Sequence, residues 1–385
     1  MEFNQTDDFT TEEIMYMIDA TVEAQLRGET GSATILYMES PPGVGKTQMI
    51  CAYADWKKEY GSKALGITNP NVLVRTNILS QSDSVDFGAP APDFDKGRLN
   101  FLVPDDVLGK AKGDYQYDIV VVFWDELPNA NPATLSAWQS VAESGEIRSR
   151  KKAANCVYIA AGNRPEDKCG ARPLPRSIRE GRIITVAMGV SMPRLIAHAT
   201  DQCWDARLIA MLGWSMHENK DMLNSFDPNT KSKVQPSPRG VQKLNCLLEQ
   251  NLDEKILDVL APGCVGDRMW AEIRAFFSMG EDLPTLSEIF DEPEGARLPG
   301  DDRPEVGPNG QYAVISNISA FLQDCKRNDN HVESKTFNAI AAYIDRMPAE
   351  MKLFGLKLCQ NAHNEFGNCA KWGEIQVKHK EINLG

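Results

Sequence analysis

The chain has 385 residues, 42% of them hydrophobic and 25% charged, with a formal net charge of −13. That length fits about two to three domains, and the composition is that of a chain able to build a sizeable core. The acidic balance argues against coating nucleic acid by bulk electrostatics, although it leaves room for a local basic stripe.

No apolar run is longer than Ile119–Trp124, far short of the roughly 20 residues a membrane-spanning helix needs. The start, "MEFNQTDDFTTEE", is acidic where a secretory leader is basic and then apolar. Nine cysteines contain no C-x-x-C pair, which suits free thiols in a reducing cytoplasm better than a disulfide scaffold. His198, His217, His331, His363 and His379 have no metal-ligand spacing, so no zinc is expected.

A helix should begin at Thr10 or Thr11, because Thr10 and Glu13 fit a capping box and Gly28 suits the helix end. Ile14, Met17, Ile18, Thr21 and Val22 fall on its apolar face. Strands are then expected at Thr34–Met38, Asn71–Thr76, Ile119–Trp124, Cys156–Ala160 and Ile183–Val186. Helices are expected between them at Lys46–Tyr60, Pro104–Lys112 and Pro132–Ser144. This alternation predicts an α/β fold, a parallel sheet sandwiched by helices.

From residue 193 the pattern turns helical, with candidates at Pro193–Met211, Pro238–Gln250, Asp253–Leu260, Arg268–Met279, Val314–Cys325 and Ser334–Tyr343. Residues 291–310 hold six acidic residues, four prolines and four glycines, a composition that reads as an exposed linker or long loop. The expected domains are an N-terminal helix (1–30), a nucleotide-binding core (31–190), a helical lid (191–290), the linker (291–310) and a helical extension (311–385).

Between the first strand and the next helix lies "SPPGVGKT", Ser40–Thr47. Backbone N–H groups there can converge into an anion nest backed by the positive end of the following helix. Gly43 and Gly45 allow close approach, Lys46 would reach the β- and γ-phosphates, and the Thr47 hydroxyl would ligate Mg²⁺. Pro42, Val44 and Gln48 complete the candidate nucleotide contacts. Ser40 stands where such loops usually place their first glycine. Mg²⁺ needs a carboxylate at the end of a neighbouring buried strand, and Asp125 follows Ile119–Trp124 directly. Glu126, next in line, would polarise the attacking water as general base.

Asn163 ends the strand "CVYIAAGN"; it suits a neutral contact to the lytic water or γ-phosphate, or simply a Gly-Asn turn. Arg172, Arg176, Arg179 and Arg182 lie within eleven residues of a net-acidic chain and call for an anionic target, such as a neighbouring subunit's nucleotide. Arg239, at a helix start in "PSPRGVQKL", could fork onto phosphate oxygens.

In order and spacing these elements resemble the AAA+ ATPases, and within them the MoxR-like branch of bacteria and bacteriophages. The similarity covers roughly residues 30–280 and is most specific in "WDELPNANPATLSAWQSVAESGEI", "AAGNRPEDKCGARPLPRSIREGR" and "PSPRGVQKL"; it is weaker through residues 341–358. It implies a P-loop core followed by an α-helical lid, ATP and Mg²⁺ as cofactors, and ATP hydrolysis. Lys46 and Thr47 become Walker A, Asp125 and Glu126 Walker B, Asn163 sensor 1 and Arg239 sensor 2. Arg182 or Arg179 becomes the arginine finger, with Arg182 preferred because it directly precedes the apolar strand.

The resemblance further implies a cytoplasmic ring, a hexamer by family habit, with ATP at subunit boundaries. It implies a partner carrying a von Willebrand factor A domain and chaperone-like remodelling of a protein client; for a phage protein the compartment is the host cytoplasm. The family places a pore-facing hairpin at residues 81–109, where Phe87, Phe94 and Phe101 equally suit a loop packed on the sheet. "EIRSRKK" (146–152) is either a pore loop or a solvated hairpin turn. Two rival functions remain: a nucleic-acid motor or loader, favoured only by the basic run Arg148–Lys152, and a nucleotide-gated scaffold that binds ATP but barely hydrolyses it.

Overall fold

Three strands whose residues are almost all buried organise the first half of the chain. In the computed structural model these are β1 (Ile35–Ser40), β5 (Ile119–Asp125) and β8 (Cys156–Asn163). The structure describes residues 9–28, 35–111, 113–148, 150–218, 222–223, 233–250, 252–278, 283–300 and 307–378. Thr34, Ser149, residues 301–306 of the expected linker and His379 therefore lie outside the described residues.

The remaining strands are β2 (Val72–Ile78), β3 (Ala89–Asp93), β4 (Arg98–Leu102), β6 (Glu146–Ile147), β7 (Arg150–Lys151) and β9 (Ile183–Ala187). With the first three strands, β2 and β9 form one five-stranded sheet in the order β2-β5-β8-β1-β9, and every pairing in it is parallel. Such a sheet must be covered on both faces, and alternate residues divide accordingly. Tyr37, Val120, Val122, Trp124, Tyr158 and Ala160 pack on one side with Trp138 and Val141 of helix α3 (Pro132–Ser144). Leu36, Met38, Val121, Phe123, Val157 and Ile159 pack on the other with Ile14, Ile18 and Val22 of α1 (Thr11–Arg27) and Ile50 and Tyr53 of α2 (Lys46–Tyr60). This is the α/β architecture expected from the alternation.

The capping box of Thr10 and Glu13 forms, and α1 ends on left-handed Gly28. Gln25 of α1 exchanges two 2.8 Å hydrogen bonds with the backbone of Tyr158. It completes the ladder one residue below the first β1–β8 pair, Leu36–Ile159. The buried Lys57 ammonium of α2 is bonded by Asp19 and Glu23 of α1 at 2.6 and 2.5 Å, so the two helices are joined by charge as well as by packing.

The expected helix Pro104–Lys112 is corrected: a short 3-10 turn at Asp106–Leu108 stands there instead, a second follows at Asp114–Gln116, and Lys112 lies outside the described residues. Gly109 and Gly113 have φ of 65° and 103°, which breaks any longer helix, and a Cβ on Gly109 would come within 2.7 Å of Cys156. Residues 81–109 do contain a hairpin, β3–β4. Phe87 is buried and stacks on Trp124, while Phe94 is 88% exposed. Glu146–Ile147 and Arg150–Lys151 pair as a second ribbon, β6–β7.

The chain divides into two compact units at Ser191–Met192. The second unit is helical: α5 (Met192–Asp201) and α6 (Ala206–His217), α7 (Pro238–Leu248), α8 (Glu254–Leu260), α9 (Pro262–Val265), α10 (Asp267–Phe277), α11 (Leu286–Asp291), α12 (Gly307–Arg327), α13 (Ser334–Asp345), α14 (Ala349–Ala362) and α15 (Ala370–Lys378), the first unit contributing α4 (Arg176–Arg179). The single helix expected over Pro193–Met211 is two. Cys203 takes a left-handed φ of 52°, and Asp205 caps α6 through Arg207 N.

Of the exposed linker or long loop expected over 291–310, residues 292–300 form turns, and residues 307–310 belong to a helix instead. Helix α12 begins at Gly307, and the preceding turn is tied down by Arg346, which donates to the carbonyls of Pro293 and Ala296 at 2.6 and 2.7 Å. A half-buried guanidinium anchor, which composition does not reveal, offsets the low apolar content. No helix among the described residues is long and apolar enough to cross a membrane.

Candidate nucleotide site

Because the sheet is parallel, the carboxyl ends of β1, β5 and β8 share one edge, where α/β sheets hold their ligands. Ser40 of β1 pairs in register with Asn163 of β8, and Asp125 closes β5. The chain leaves β1 through Pro41 and Pro42, turns with φ of 83° at Gly43 and 102° at Gly45, and enters α2 at Lys46. These are left-handed angles that a side chain would strain, so the loop needs its glycines.

Lys46 is buried, with 8% of its surface exposed. Its ammonium donates to Ser40 Oγ at 2.7 Å and to Asn163 Oδ1 at 3.0 Å, with longer contacts to the Pro41 and Ser40 carbonyls. The serine that replaces the usual first glycine is thus the closest of these oxygens to the lysine, a role not apparent from sequence. One residue on, Thr47 Oγ1 donates to Asp125 Oδ2 at 2.6 Å.

A hydroxyl and a carboxylate oxygen in contact, beside an ammonium held by neutral oxygens, are a donor set suited to a hard divalent cation next to phosphate. The residues present therefore fit Mg²⁺ and a nucleotide triphosphate. Pro42, Val44 and Gln48 lie on the loop and first turn around them; Gln48 is exposed.

Glu126 follows Asp125 with a left-handed φ of 57°, and its N–H donates to Asp125 Oδ1 at 2.9 Å. Ser80, just past β2, donates its hydroxyl to Glu126 Oε2. Ser80 was not singled out in the sequence; its one signal is its place after a strand that pairs Ile78 with Asp125. Gly162, just before Asn163, lets the turn after Glu126 approach: a Cβ there would sit 2.1 Å from Pro128 Cδ.

Three of the four arginines, Arg176, Arg179 and Arg182, have acceptors within their own unit. Arg179 Nη2 donates to Glu39 Oε1 at 2.6 Å and Arg182 Nη2 to Glu143 Oε2 at 2.7 Å. Arg182 also donates to the Ser177 carbonyl, and Arg176 pairs with Glu180. The acceptors of the two finger candidates differ in burial, and the arginines themselves differ in the opposite sense, Arg182 at 16% and Arg179 at 36% exposure. Glu39 is 9% exposed at its side chain, whereas Glu143 is 62% exposed. Burial pushes the Glu39 carboxyl above the usual carboxylate range; Arg179 pulls it back and Glu166 pushes it further up. Arg239, exposed at the second position of α7, belongs to the helical unit.

Together the fold and the loop define a P-loop α/β core in a chain that continues into a helical domain. No protein-family profile matches the chain, and no curated protein matches it in sequence. Among solved structures it is similar to an ATPase candidate from Cytophaga hutchinsonii, at 11% identity over 95% of this chain and 88% of that one, TM-score 0.30. It is also similar to C. elegans PCH-2, at 15% identity, 71% and 64% coverage and TM-score 0.31, so the chain spans under two thirds of that protein. A third is Drosophila ORC bound to DNA, at 12% identity, 93% and 78% coverage and TM-score 0.37. At such scores these likenesses add no weight to the geometry above.

Proposed function

We propose that the chain is an AAA+ ATPase of the MoxR-like type, which hydrolyses ATP at subunit boundaries of a ring, a hexamer, and uses the energy to remodel a protein client. The observation that carries this reading is the junction of Lys46, Thr47, Asp125 and Asn163 at one edge of the sheet, with Thr47 and Asp125 in contact at 2.6 Å. A solvated turn has no need of a buried lysine between two strand ends.

In this reading Lys46 binds the β- and γ-phosphates, while Thr47 and Asp125 hold Mg²⁺ and its water shell. Bound Mg²⁺-ATP supplies the phosphoanhydride to be cleaved and the divalent charge that offsets negative charge as it develops. Glu126 takes the proton of the attacking water, and Asn163 orients that water.

Arg182 of an adjoining subunit is the better finger, because it directly precedes strand β9 and its own-chain partner Glu143 is solvated. Arg179 is held by a buried carboxylate and suits a structural role. Arg239 completes the phosphate contacts as sensor 2. The core is taken as 31–190 and the helical lid as 191–290 with an extension beyond 311. A partner with a von Willebrand factor A domain and a cytoplasmic setting belong to the same reading.

The test is Glu126→Gln with radiolabelled ATP. Retained binding with turnover lowered about 100-fold or more supports the assignment; turnover equal to wild type removes Glu126 from the mechanism.

A further inference from the structure

The glycines of the loop and the serine at its entrance meet different backbone demands. Gly43 and Gly45 take left-handed φ, whereas Ser40 ends β1 as a strand residue, so its backbone accepts a side chain. Alternation along β1 decides where that side chain goes. Tyr37 packs on the α3 face of the sheet, and Glu39, on the same face, reaches Arg179. Leu36 and Met38 pack on the face covered by α1 and α2. Ser40 shares that second face and is fully buried, beside the lysine that opens α2.

Each hydrogen bond that starts there has only one possible direction. An ammonium donates and never accepts, and a carbonyl accepts and never donates. Lys46 Nζ lies 2.7 Å from Ser40 Oγ, so the serine accepts from it and gives its own hydrogen to the Pro41 carbonyl, also at 2.7 Å. The same ammonium, 3.0 Å from the Asn163 side chain, obliges that amide to present its oxygen. The amide nitrogen of Asn163, a donor, is then the end left for a ligand at the sheet edge. Pro41, Ser40, Lys46 and Asn163 thus make one chain of fixed polarity, in which neither of the two close oxygens neutralises the lysine. A glycine at position 40 would remove the hydroxyl link.

We propose that Ser40 is a positioning residue for ATP hydrolysis: its hydroxyl holds the Lys46 ammonium where it fixes the Asn163 amide, nitrogen outward, for the γ-phosphate and the attacking water. This role rests on the ATPase reading and deepens it, because it names what sets the amide that orients the water. An amide nitrogen donates to the oxygen of that water and leaves the water's hydrogens to Glu126. The reversed amide would offer its oxygen to those hydrogens and compete with the general base. Ser40 touches neither nucleotide nor water in this scheme; it acts through Lys46.

Two measurements test it on full-length Ser40→Ala and Ser40→Gly; the second variant restores the usual loop glycine and guards against a folding defect in the first. Without nucleotide, proton–nitrogen NMR reads the hydrogen exchange of the Lys46 ammonium, assigned through Lys46→Arg. Wild type should show a protected signal, and both variants should exchange about tenfold faster, having lost one hydrogen bond to a charged group. With ATP, steady-state phosphate release should show both variants about tenfold lower in kcat, with a much smaller change in KM. Combined with Asn163→Ala, neither variant should lower kcat further, because the serine acts through that amide. Wild-type exchange in both variants overturns the proposal, and so does a change confined to KM or a full further loss in the Asn163→Ala background. An impaired alanine form beside an unimpaired glycine form also overturns it, since backbone and not hydroxyl would then be responsible. A wild type that does not hydrolyse ATP sinks the nucleotide reading, while the exchange measurement still decides whether Ser40 holds Lys46.

Discussion

The Lys46 ammonium and the Asn163 amide oxygen lie 3.0 Å apart, although 117 residues separate them in sequence. The contact exists because β1 and β8 run side by side with Ser40 opposite Asn163. A neutral acceptor holds the lysine without neutralising it. Asn163→Asp puts a carboxylate in the same place and ties the ammonium into an ion pair. A hydrogen bond to a charged group contributes about 1.5–3 kcal/mol, so affinity for a fluorescent ATP analogue should fall by about tenfold to a hundredfold. Thermal unfolding should change little. Unaltered nucleotide affinity in this variant would detach Asn163 from the site.

Ser80 holds Glu126 by its hydroxyl, a bond that occupies one of the two oxygens with which the carboxylate would meet water. Ser80→Ala should free it and raise turnover severalfold, the equivalent of about 1 kcal/mol for one hydrogen bond. In a Glu126→Gln background the same change should have no effect on turnover. A rise of equal size in both backgrounds would show that Ser80 acts elsewhere. Steady-state phosphate release distinguishes the two outcomes.

Arg179 and Arg182 separate by stability and rate. Removing Arg179 leaves the buried Glu39 carboxylate unpaired, which costs about 3–5 kcal/mol and should lower the unfolding midpoint clearly. Arg182 is itself only 16% exposed and also donates to the Ser177 carbonyl, so Arg182→Ala should lower the unfolding midpoint modestly, less than loss of Arg179, while losing about 10³-fold or more in turnover. Mixing it with Glu126→Gln subunits should restore part of the activity if the finger acts across a boundary. The raised pKa of Glu39 has its own sign. The native state prefers the protonated carboxyl, so this group's cost is present at neutral pH and is relieved as pH falls through its folded value. Glu39→Gln, a neutral copy, should therefore be at least as stable as wild type at pH 8, with the difference vanishing in acid. A variant markedly less stable at pH 8 would mean that the Arg179 pair outweighs burial.

Much of the core was legible because its signals are local. Periodicity and caps locate α2 and α3 to the residue, and the apolar runs locate all five sheet strands to within a few residues. The lysine, threonine and acidic pair could be read as one site because strand ends in a parallel sheet must meet. What could not be read depends on tertiary partners. Ser40 and Ser80 are ordinary serines until the fold brings Lys46 and Glu126 to them. The acceptors of Arg179 and Arg182 lie 140 and 39 residues away, so no local pattern announces them. The missed break between α5 and α6 rests on one left-handed cysteine, Cys203, whose residue type gives no warning. The anchoring of the turn over 292–300 could not be read because Arg346, far downstream, supplies the bonds.

Gly162 offers the most direct test that the turn after Glu126 matters for rate. Its missing side chain lets Pro128 approach so closely that a Cβ would lie 2.1 Å from Pro128 Cδ and 2.9 Å from the Tyr37 hydroxyl. Both neighbours are buried: Tyr37 is fully covered in β1 and Pro128 is packed in the turn Leu127–Asn129. Neither can retreat into solvent, so Gly162→Ala must displace the turn itself. Overpacking of this kind costs about 1–3 kcal/mol, which should appear as a modestly lower unfolding midpoint. The larger effect should be on catalysis, because a displacement of about 1 Å at a catalytic group can cost about 100-fold, and Glu126 is the residue at the head of that turn. ATP affinity, set by Lys46 and the loop on the other side of Asn163, should fall far less than turnover. If affinity and turnover drop together, the substitution has disturbed β8 as a whole; if neither drops, the position of the turn does not control Glu126.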